Sequence, residues 1–593
     1  MRHASARADN LRDASRRLFD TARFSRVGTI LPYAIVGLTV LLCVASTACS
    51  LQFVLRAYHG ALLWDEWDSI GFFARLREGT ATLQDFIRQH NEHRILVPRL
   101  VFALDLTFAD ARNTVNFASI LICQALHVCV FHRIIAFGTR NRLVGSALTA
   151  FAALMMFSAV QYENLVWAFQ IPFTAVFLFF TTAALMLSLV QAGQSGVPGA
   201  TLLTGAGMLL GAAAALVMAN GAAALICIAV VLAMARPLDR LTAATAAAGI
   251  ALLIGYAATF TPHPGHTPLA YALQHPLILL QYTCAYLGSA FAPLGLQVAI
   301  LAGGFGLAFT GFALFGLFTG RLARNAANLT LAAVLVFIAF TAGLTALGRS
   351  GFGVEQATAG RYATPSAILT AAAVSLTALW LAGDRRGTRP LSAVGLVLGA
   401  TLLSVTAAAV IQYALRDWAR LRVAEMSRAT AAILSAVHDE SALRVLFPDV
   451  ELMKQRIPLL QAHKLNMFSL PSPWPLGAEV PHGRLADPAR CYGSVDLIEP
   501  VPGVANAFQL KGWAWDRAGR RPPERLVVLS AARRVVGYGS TGWKRPDVPA
   551  AVGEVSTPWV GAAAYARDSA GQLGVYGVLE DGHLCPIGGA RAP

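Results

Sequence analysis

Ten stretches of this chain are apolar for long enough to cross, as helix, the roughly 30 Å hydrocarbon core of a bilayer. They fall near residues 28–54, 113–137, 143–160, 171–191, 200–218, 241–260, 295–319, 327–347, 363–383 and 391–412, and a shorter eleventh run, 221–235, follows the break at Asn220-Gly221. Hydrocarbon offers no water to the backbone, so a chain with this many spans must satisfy its N–H and C=O groups internally, as a bundle of helices. The predicted class is a polytopic α-helical membrane protein of about eleven spans with a C-terminal soluble β-rich domain. Composition agrees: 56% of the 593 residues are hydrophobic and 13% charged, too apolar for an ordinary soluble enzyme.

Charge placement gives the orientation. Arg2, Arg7, Arg12, Arg16, Arg17, Arg23 and Arg26 make residues 1–27 a basic cytoplasmic N-terminus, and the run after them is too long for a signal-peptide core, so it reads as a retained first span. Alternate connections then carry Arg140 and Arg142, Arg236 and Arg240, Arg321 and Arg324, and Arg385, Arg386 and Arg389; only the 192–199 loop is neutral. The positive-inside rule fits, and an odd number of spans puts the C-terminus outside a cytoplasmic (inner) membrane. Inserting 276–292 as a further span would invert the later loops, so it is expected to be interfacial or re-entrant. Residues 95–110, with Arg99, Asp105 and Asp110, are expected to form an interfacial helix of the first outer loop, 55–112. The net charge of +15 is spread over short loops rather than gathered in one patch, which excludes a nucleic-acid partner.

The membrane domain thus covers 28–412 and an extracytoplasmic domain 413–593. Arg416, Asp417, Arg420, Arg422, Glu425 and Arg428 mark a soluble helix to about Val437, and beyond Pro471 short apolar runs between Pro and Gly predict strands. Cys491 and Cys585 could pair there if the domain lies outside; the other six cysteines sit in or beside apolar runs. Trp513, Trp515 and Trp543 are either core or a face for an acceptor glycan.

The polar loops of apparent function all fall on the outer side. Asp65, Glu66 and Asp68 crowd three carboxylates beside a low-dielectric region, which raises the pKa of at least one, as a general base near neutral pH requires. The alternative is a solvated loop anchored by Trp64 and Trp67. His90, His93 and Arg94 follow; on a helix His90 and Arg94 would share a face, and arginine can hold phosphate by paired hydrogen bonds, although a salt bridge to the acids is the structural alternative. The HxxH spacing lacks a third ligand, so no metal is assigned. Arg349, Arg361 and Tyr362 flank a glycine-rich loop and suit an anionic head group, or else snorkel to lipid. Glu163, Asn164 and Gln170, among Gln161, Tyr162, Trp167 and Phe169, resemble the lining of a sugar site; Asn220, His263, His266 and Glu355 complete the set. Walker, GxSxG, HExxH and Rossmann motifs are absent, so a group donor should arrive through the membrane.

The long first outer loop with acidic residues after span one, its interfacial helices and the soluble domain after the last span resemble the GT-C membrane glycosyltransferases, in particular the arabinofuranosyl- and mannosyltransferase members. That resemblance implies a polyprenyl-phosphate sugar donor, an inverting transfer, and a glycan, lipid or protein hydroxyl as acceptor at the bilayer. It implies Asp65 as the base, with Glu66 or Asp68 tuning or replacing it; the acidic pair is Asp65-Glu66 or Glu66-x-Asp68, since no plain DxD occurs. Arg349, Arg361 and Arg94 would hold the lipid phosphate. No cofactor is required, although a divalent cation is compatible. Two other functions are compatible with the layout: a flippase for lipid-linked sugars, which predicts ionisable groups at mid-membrane, and a surface-glycan ligase or polymerase, which needs no essential carboxylate.

Overall fold

The computed structural model describes residues 2–194, 197–236, 239–261, 267–383, 389–470, 472–568 and 572–591, with 2–29, 197, 198, 389 and 589–591 as backbone only. His263, His266, Arg385 and Arg386 lie outside the described residues, as do the side chains of the N-terminal arginines and Arg389. Among the described residues ten helices are long and apolar enough to cross a membrane: Ile30–Ala57, Thr114–Gly138, Arg142–Val166, Ala168–Gln191, Gly199–Leu216, Arg240–Ala258, Leu296–Phe318, Ala326–Phe352, Gly360–Ala382 and Pro390–Ala414. The eleventh run forms the shorter segment Ala219–Ala235.

Capping fixes several helix starts. Asn141 Oδ1 accepts from the Leu143 and Val144 amides at 3.0 and 3.2 Å, Asp239 Oδ1 from Thr242 N at 2.8 Å and Asn325 Oδ1 from Asn328 N at 2.9 Å. The helices Arg142–Val166, Ala168–Gln191, Ala326–Phe352 and Gly360–Ala382 form the middle of the bundle, with most of their residues buried, whereas Gly199–Leu216, Arg240–Ala258 and Leu296–Phe318 bury few of theirs and face the surroundings.

Both doubtful segments are short helices. Pro276–Leu287 has 12 residues, about 18 Å at helical rise, which is too short to span. It leads through the 3₁₀ turn Ser289–Leu294 into Leu296–Phe318, and the two helices come together at Gly288 and Gly303: a Cβ at Gly288 would stand 1.9 Å from Ala299 O. Helix Leu96–Ala109 exposes Leu100, Leu104 and Phe108 along one face and buries Arg99 and Asp105 on the other. Asp105 accepts from Asn113 N at 2.8 Å and Val115 N at 2.7 Å, so the polar face is satisfied inward.

After the last span come Arg416–Leu434, Glu440–Leu446 and Val450–Ala462. A two-stranded hairpin in the first outer loop, β1 (Gln89–His90) and β2 (His93–Arg94), precedes them in the chain. The C-terminal sheet has seven antiparallel strands: β3 (Cys491–Pro500), β4 (Ala507–Asp516), β5 (Arg525–Ser530), β6 (Val535–Trp543), β7 (Gly561–Arg567), β8 (Gln572–Val578) and β9 (Leu584–Arg591), in the order β3-β4-β7-β6-β5-β8-β9. The sheet curls like a barrel, since a Cβ at Gly493 on β3 would meet the Ile587 side chain on β9, and the disulfide Cys491–Cys585 joins these two outer strands. Helix Arg416–Leu434 lies across β6 and β7: the Tyr538 amide donates to Ser435 Oγ at 2.9 Å, and Arg428 Nη1 to Tyr565 Oη at 3.4 Å. The three tryptophans of the sheet are packed rather than displayed. Trp515 is buried with Val548, Val555 and Val560, Trp513 packs on that cluster, and Trp543 Nε1 donates to Glu425 Oε1 at 3.3 Å.

Candidate functional site

The 3₁₀ turn Trp64–Ser69 carries the three carboxylates in three different surroundings. Trp67 is its anchor, fully buried, with Nε1 donating to Leu62 O at 3.0 Å; it is core, not an interfacial belt residue. Glu66 turns inward too. Its Oε2 accepts from Leu63 N at 2.6 Å and Asn113 Nδ2 at 3.0 Å, and it is 4% exposed. Burial pushes its carboxyl up to about 8 despite these donors and the charge of Arg422. Glu66 therefore holds the turn and is not among the residues that line the cleft beside it.

Asp65 faces the other way, into a cleft of ≈ 680 Å³, within the size range of small-molecule sites. Its Oδ2 stands 3.6 Å from His90 Nε2. Asp68 lies behind it, 3.9 Å from Arg456 Nη2, and burial raises its carboxyl against the pull of His90 and Arg456. Asp65, Asp68 and His90 bring one ligand atom each to within 4.8 Å of one another, an O, O, N donor set that fits a divalent cation.

His90 and His93 do not lie on a helix. They face each other across the hairpin, with Asn91-Glu92 as its turn and Asn91 at φ 48°, and Arg94 opposes Gln89 rather than His90. Asn91 takes the left-handed conformation a two-residue hairpin demands, which overrides the helical reading. The expected shared face for His90 and Arg94 is thus absent. Arg94 borders neither this cleft nor the apolar cavity beyond it; its Nη2 donates to Thr259 O at 2.5 Å and Nη1 to Ile87 O at 3.3 Å, tying the loop to the end of Arg240–Ala258. His90 instead rests against Phe169 at 5.2 Å between ring centroids, and Phe169 stacks on Trp167, which meets Trp64 edge-on.

The far wall of the cleft is made by two arginine–carboxylate pairs. Arg349 Nη2 donates to Glu92 Oε1 at 2.9 Å. Arg361 donates to Glu163 through Nη1 at 3.1 Å and through its own backbone N–H at 3.1 Å. Burial alone would raise Glu92, but the charges of His93 and Arg349 outweigh it and hold the carboxyl down at about 2. Asn164 stands beneath, buried, donating to Arg361 O at 2.8 Å and Thr364 Oγ1 at 2.7 Å; it positions the arginine and does not line the cleft. Gln170 lines the cleft, buried, and its Oε1 has no hydrogen-bond partner among the described residues.

Beyond the arginines lies a second cavity of ≈ 490 Å³, largely apolar, lined by Phe177, Met218, Leu253, Phe260 and Leu344. It shares Glu92, His93, Phe173, Arg349 and Arg361 with the first. Tyr362 belongs to this side, with its ring 4.7 Å from Tyr286 and 5.2 Å from the Arg361 guanidinium. Asn220 lines it as well, bonded to Thr341 Oγ1 at 3.1 Å.

One wall escaped the sequence reading. Trp418, Leu421, Arg422, Glu425 and Met426 of the soluble helix line the cleft. Their signal was the spacing 418, 421, 422, 425, 426, which is one face of a helix. Burial draws the Arg422 guanidinium down to about 10 against the opposing charge of Glu66, and Trp418 meets Tyr162 edge-on at 5.2 Å. Comparison of the chain with protein-family models, with curated proteins and with solved structures finds no match.

Proposed function

We propose that this protein is a membrane glycosyltransferase that moves a sugar from a polyprenyl-phosphate donor to a hydroxyl acceptor. The observation that carries the reading is the shared wall: Arg349 and Arg361 stand between a cleft that holds a carboxylate–histidine pair and a second cavity whose lining includes the apolar side chains Phe177, Met218, Leu253, Phe260 and Leu344. A lipid-phosphate sugar has three such parts in the same order, a polyhydroxylated head, an anionic link and a hydrocarbon chain. Each guanidinium has five N–H donors and gives one nitrogen to its carboxylate partner, so donors remain for a phosphate.

In this mechanism the acceptor hydroxyl enters beside Asp65. Asp65 takes its proton as the oxygen attacks the anomeric carbon, the bond from that carbon to the phosphate oxygen breaks, and the electron pair leaves on the phosphate. Arg349 and Arg361 offset the growing charge, and Trp64, Trp167 and Phe169 offer faces to the sugar. Glu92 and Glu163 keep the guanidiniums aimed. A divalent ion on Asp65, Asp68 and His90 would add a Lewis-acid charge beside the leaving group or acceptor.

The basic connections and the Cys491–Cys585 bond favour a site outside the cytoplasmic membrane, where a disulfide persists. The test is transfer by purified full-length protein from a panel of polyprenyl-phosphate sugars to hydroxylated acceptors, with Asp65→Asn alongside. Turnover lost in Asp65→Asn supports the reading, and a ligase without a catalytic carboxylate would keep it. Absence of turnover with every donor defeats the reading.

A further inference from the structure

The acidic turn is held from far away in the chain. Arg456, on Val450–Ala462, donates through Nη1 to Trp67 O at 2.6 Å and brings Nη2 to 3.9 Å from Asp68 Oδ1, with its side chain 20% exposed. Just past the same helix, His463 Nε2 stands 3.2 Å from Glu78 Oε1, and Asn466 Nδ2 donates to Gly60 O and Ala111 O at 2.9 and 2.6 Å. The turn needs such support. It is 3₁₀, a form with poor hydrogen-bond geometry, and it opens with Trp64 at φ 51°, a left-handed conformation costly for a bulky residue. Of the other cations nearby, Arg75 is engaged by Asp85 at 2.8 Å, and His90 and Arg88 act on Asp68 by charge.

We propose that Arg456 is a positioning residue for the sugar transfer: it clamps the Trp64–Ser69 turn through Trp67 O and Asp68 so that Asp65 faces His90 and the cleft. This rests on the transferase reading above. Arg456 borders neither cavity, so it touches no substrate, and the phosphate-binding arginines lie on the opposite wall. Its effect should therefore fall on the chemical step rather than on donor binding.

The experiment compares the wild type with Arg456→Met, Arg456→Lys, His463→Gln and Asp65→Asn, all full length, with kinetics, hydrogen exchange and melting temperature measured on each. Arg456→Met should lower kcat about 10- to 100-fold, the effect of an ångström-scale misplacement, with donor KM within about twofold. Amides of residues 64–69 should exchange faster while the melting temperature stays within a few degrees. Arg456→Lys should recover part of kcat, and His463→Gln, which loses only the Glu78 contact, should stay within about twofold of wild type. The clamp is overturned if Arg456→Met keeps kcat and the exchange of 64–69, or if His463→Gln falls as far as Arg456→Met. Asp65→Asn losing activity while Arg456→Met keeps it overturns the clamp and leaves the transferase reading standing. A wild type that turns over no donor overturns both.

Discussion

Arg361 holds Glu163 at two points, side chain to Oε1 and main chain to Oε2, both at 3.1 Å. Such a contact fixes the guanidinium's direction as well as its charge, and Gly360 permits it: a Cβ there would press on Glu163 Cβ at 3.0 Å. Arg361→Lys keeps the charge and the main-chain contact but loses the planar set of guanidinium donors, so kcat/KM for a lipid-phosphate donor should fall about 10- to 100-fold. Glu163→Gln should lose less than Arg361→Lys in the same steady-state assay.

Asp65 is the only one of the three acids that borders the cleft. Asp65→Asn should lower kcat by about 10²- to 10⁴-fold with the fold intact by circular dichroism, and Asp68→Asn by less. Transfer that survives both Asp65→Ala and Asp68→Ala would remove the carboxylate base from the mechanism.

Glu66 titrates in the opposite sense to a paired surface acid. Its folded pKa of about 8 lies above the value of an unfolded glutamate, so the folded state holds the proton more tightly. The associated stability is complete below about pH 4.5 and is lost as pH rises through 8, a change on the order of a few kcal/mol. Thermal unfolding from pH 5 to 9 should show this decline, and Glu66→Gln should flatten it.

Glu92 carries the reverse dependence. Held down at about 2 by His93 and Arg349, it contributes stability that is present above about pH 4.5 and lost as pH falls through 2. Wild type should lose melting temperature over that acid window more steeply than Glu92→Gln.

The disulfide closes a long loop, its cysteines standing 94 positions apart in the chain. Replacing Cys491 and Cys585 together by alanine should destabilise the sheet domain by about 2–5 kcal/mol, read as earlier unfolding of that domain in denaturant. Transfer by the folded protein should persist.

Features set by local chemistry were legible in the sequence. The spans, the short helix at 276–287 and the sheet domain rest on hydrophobic length and turn residues, and each appears. The gathering of Asp65, His90, Glu163, Gln170, Arg349 and Arg361 around one cleft arises from loops that alternate sides. Direction along the chain was not legible. Asp65 and Glu66 are neighbours, yet a 3₁₀ turn sends one to the cleft and the other to the core. His90 to Arg94 carry no period long enough to separate hairpin from helix. The contribution of Trp418, Arg422 and Arg456 depends on how the soluble helices dock, which no local pattern encodes.

The bond between Arg456 and Trp67 joins positions 389 residues apart. At about 5–20 residues per second of synthesis, the acidic turn waits on the order of 20–80 s for its clamp. A nascent chain with its spans already inserted therefore has an unbraced turn and a cleft missing one wall. On the transferase reading, Asp65 is therefore braced only once the helices that follow the last span have been made.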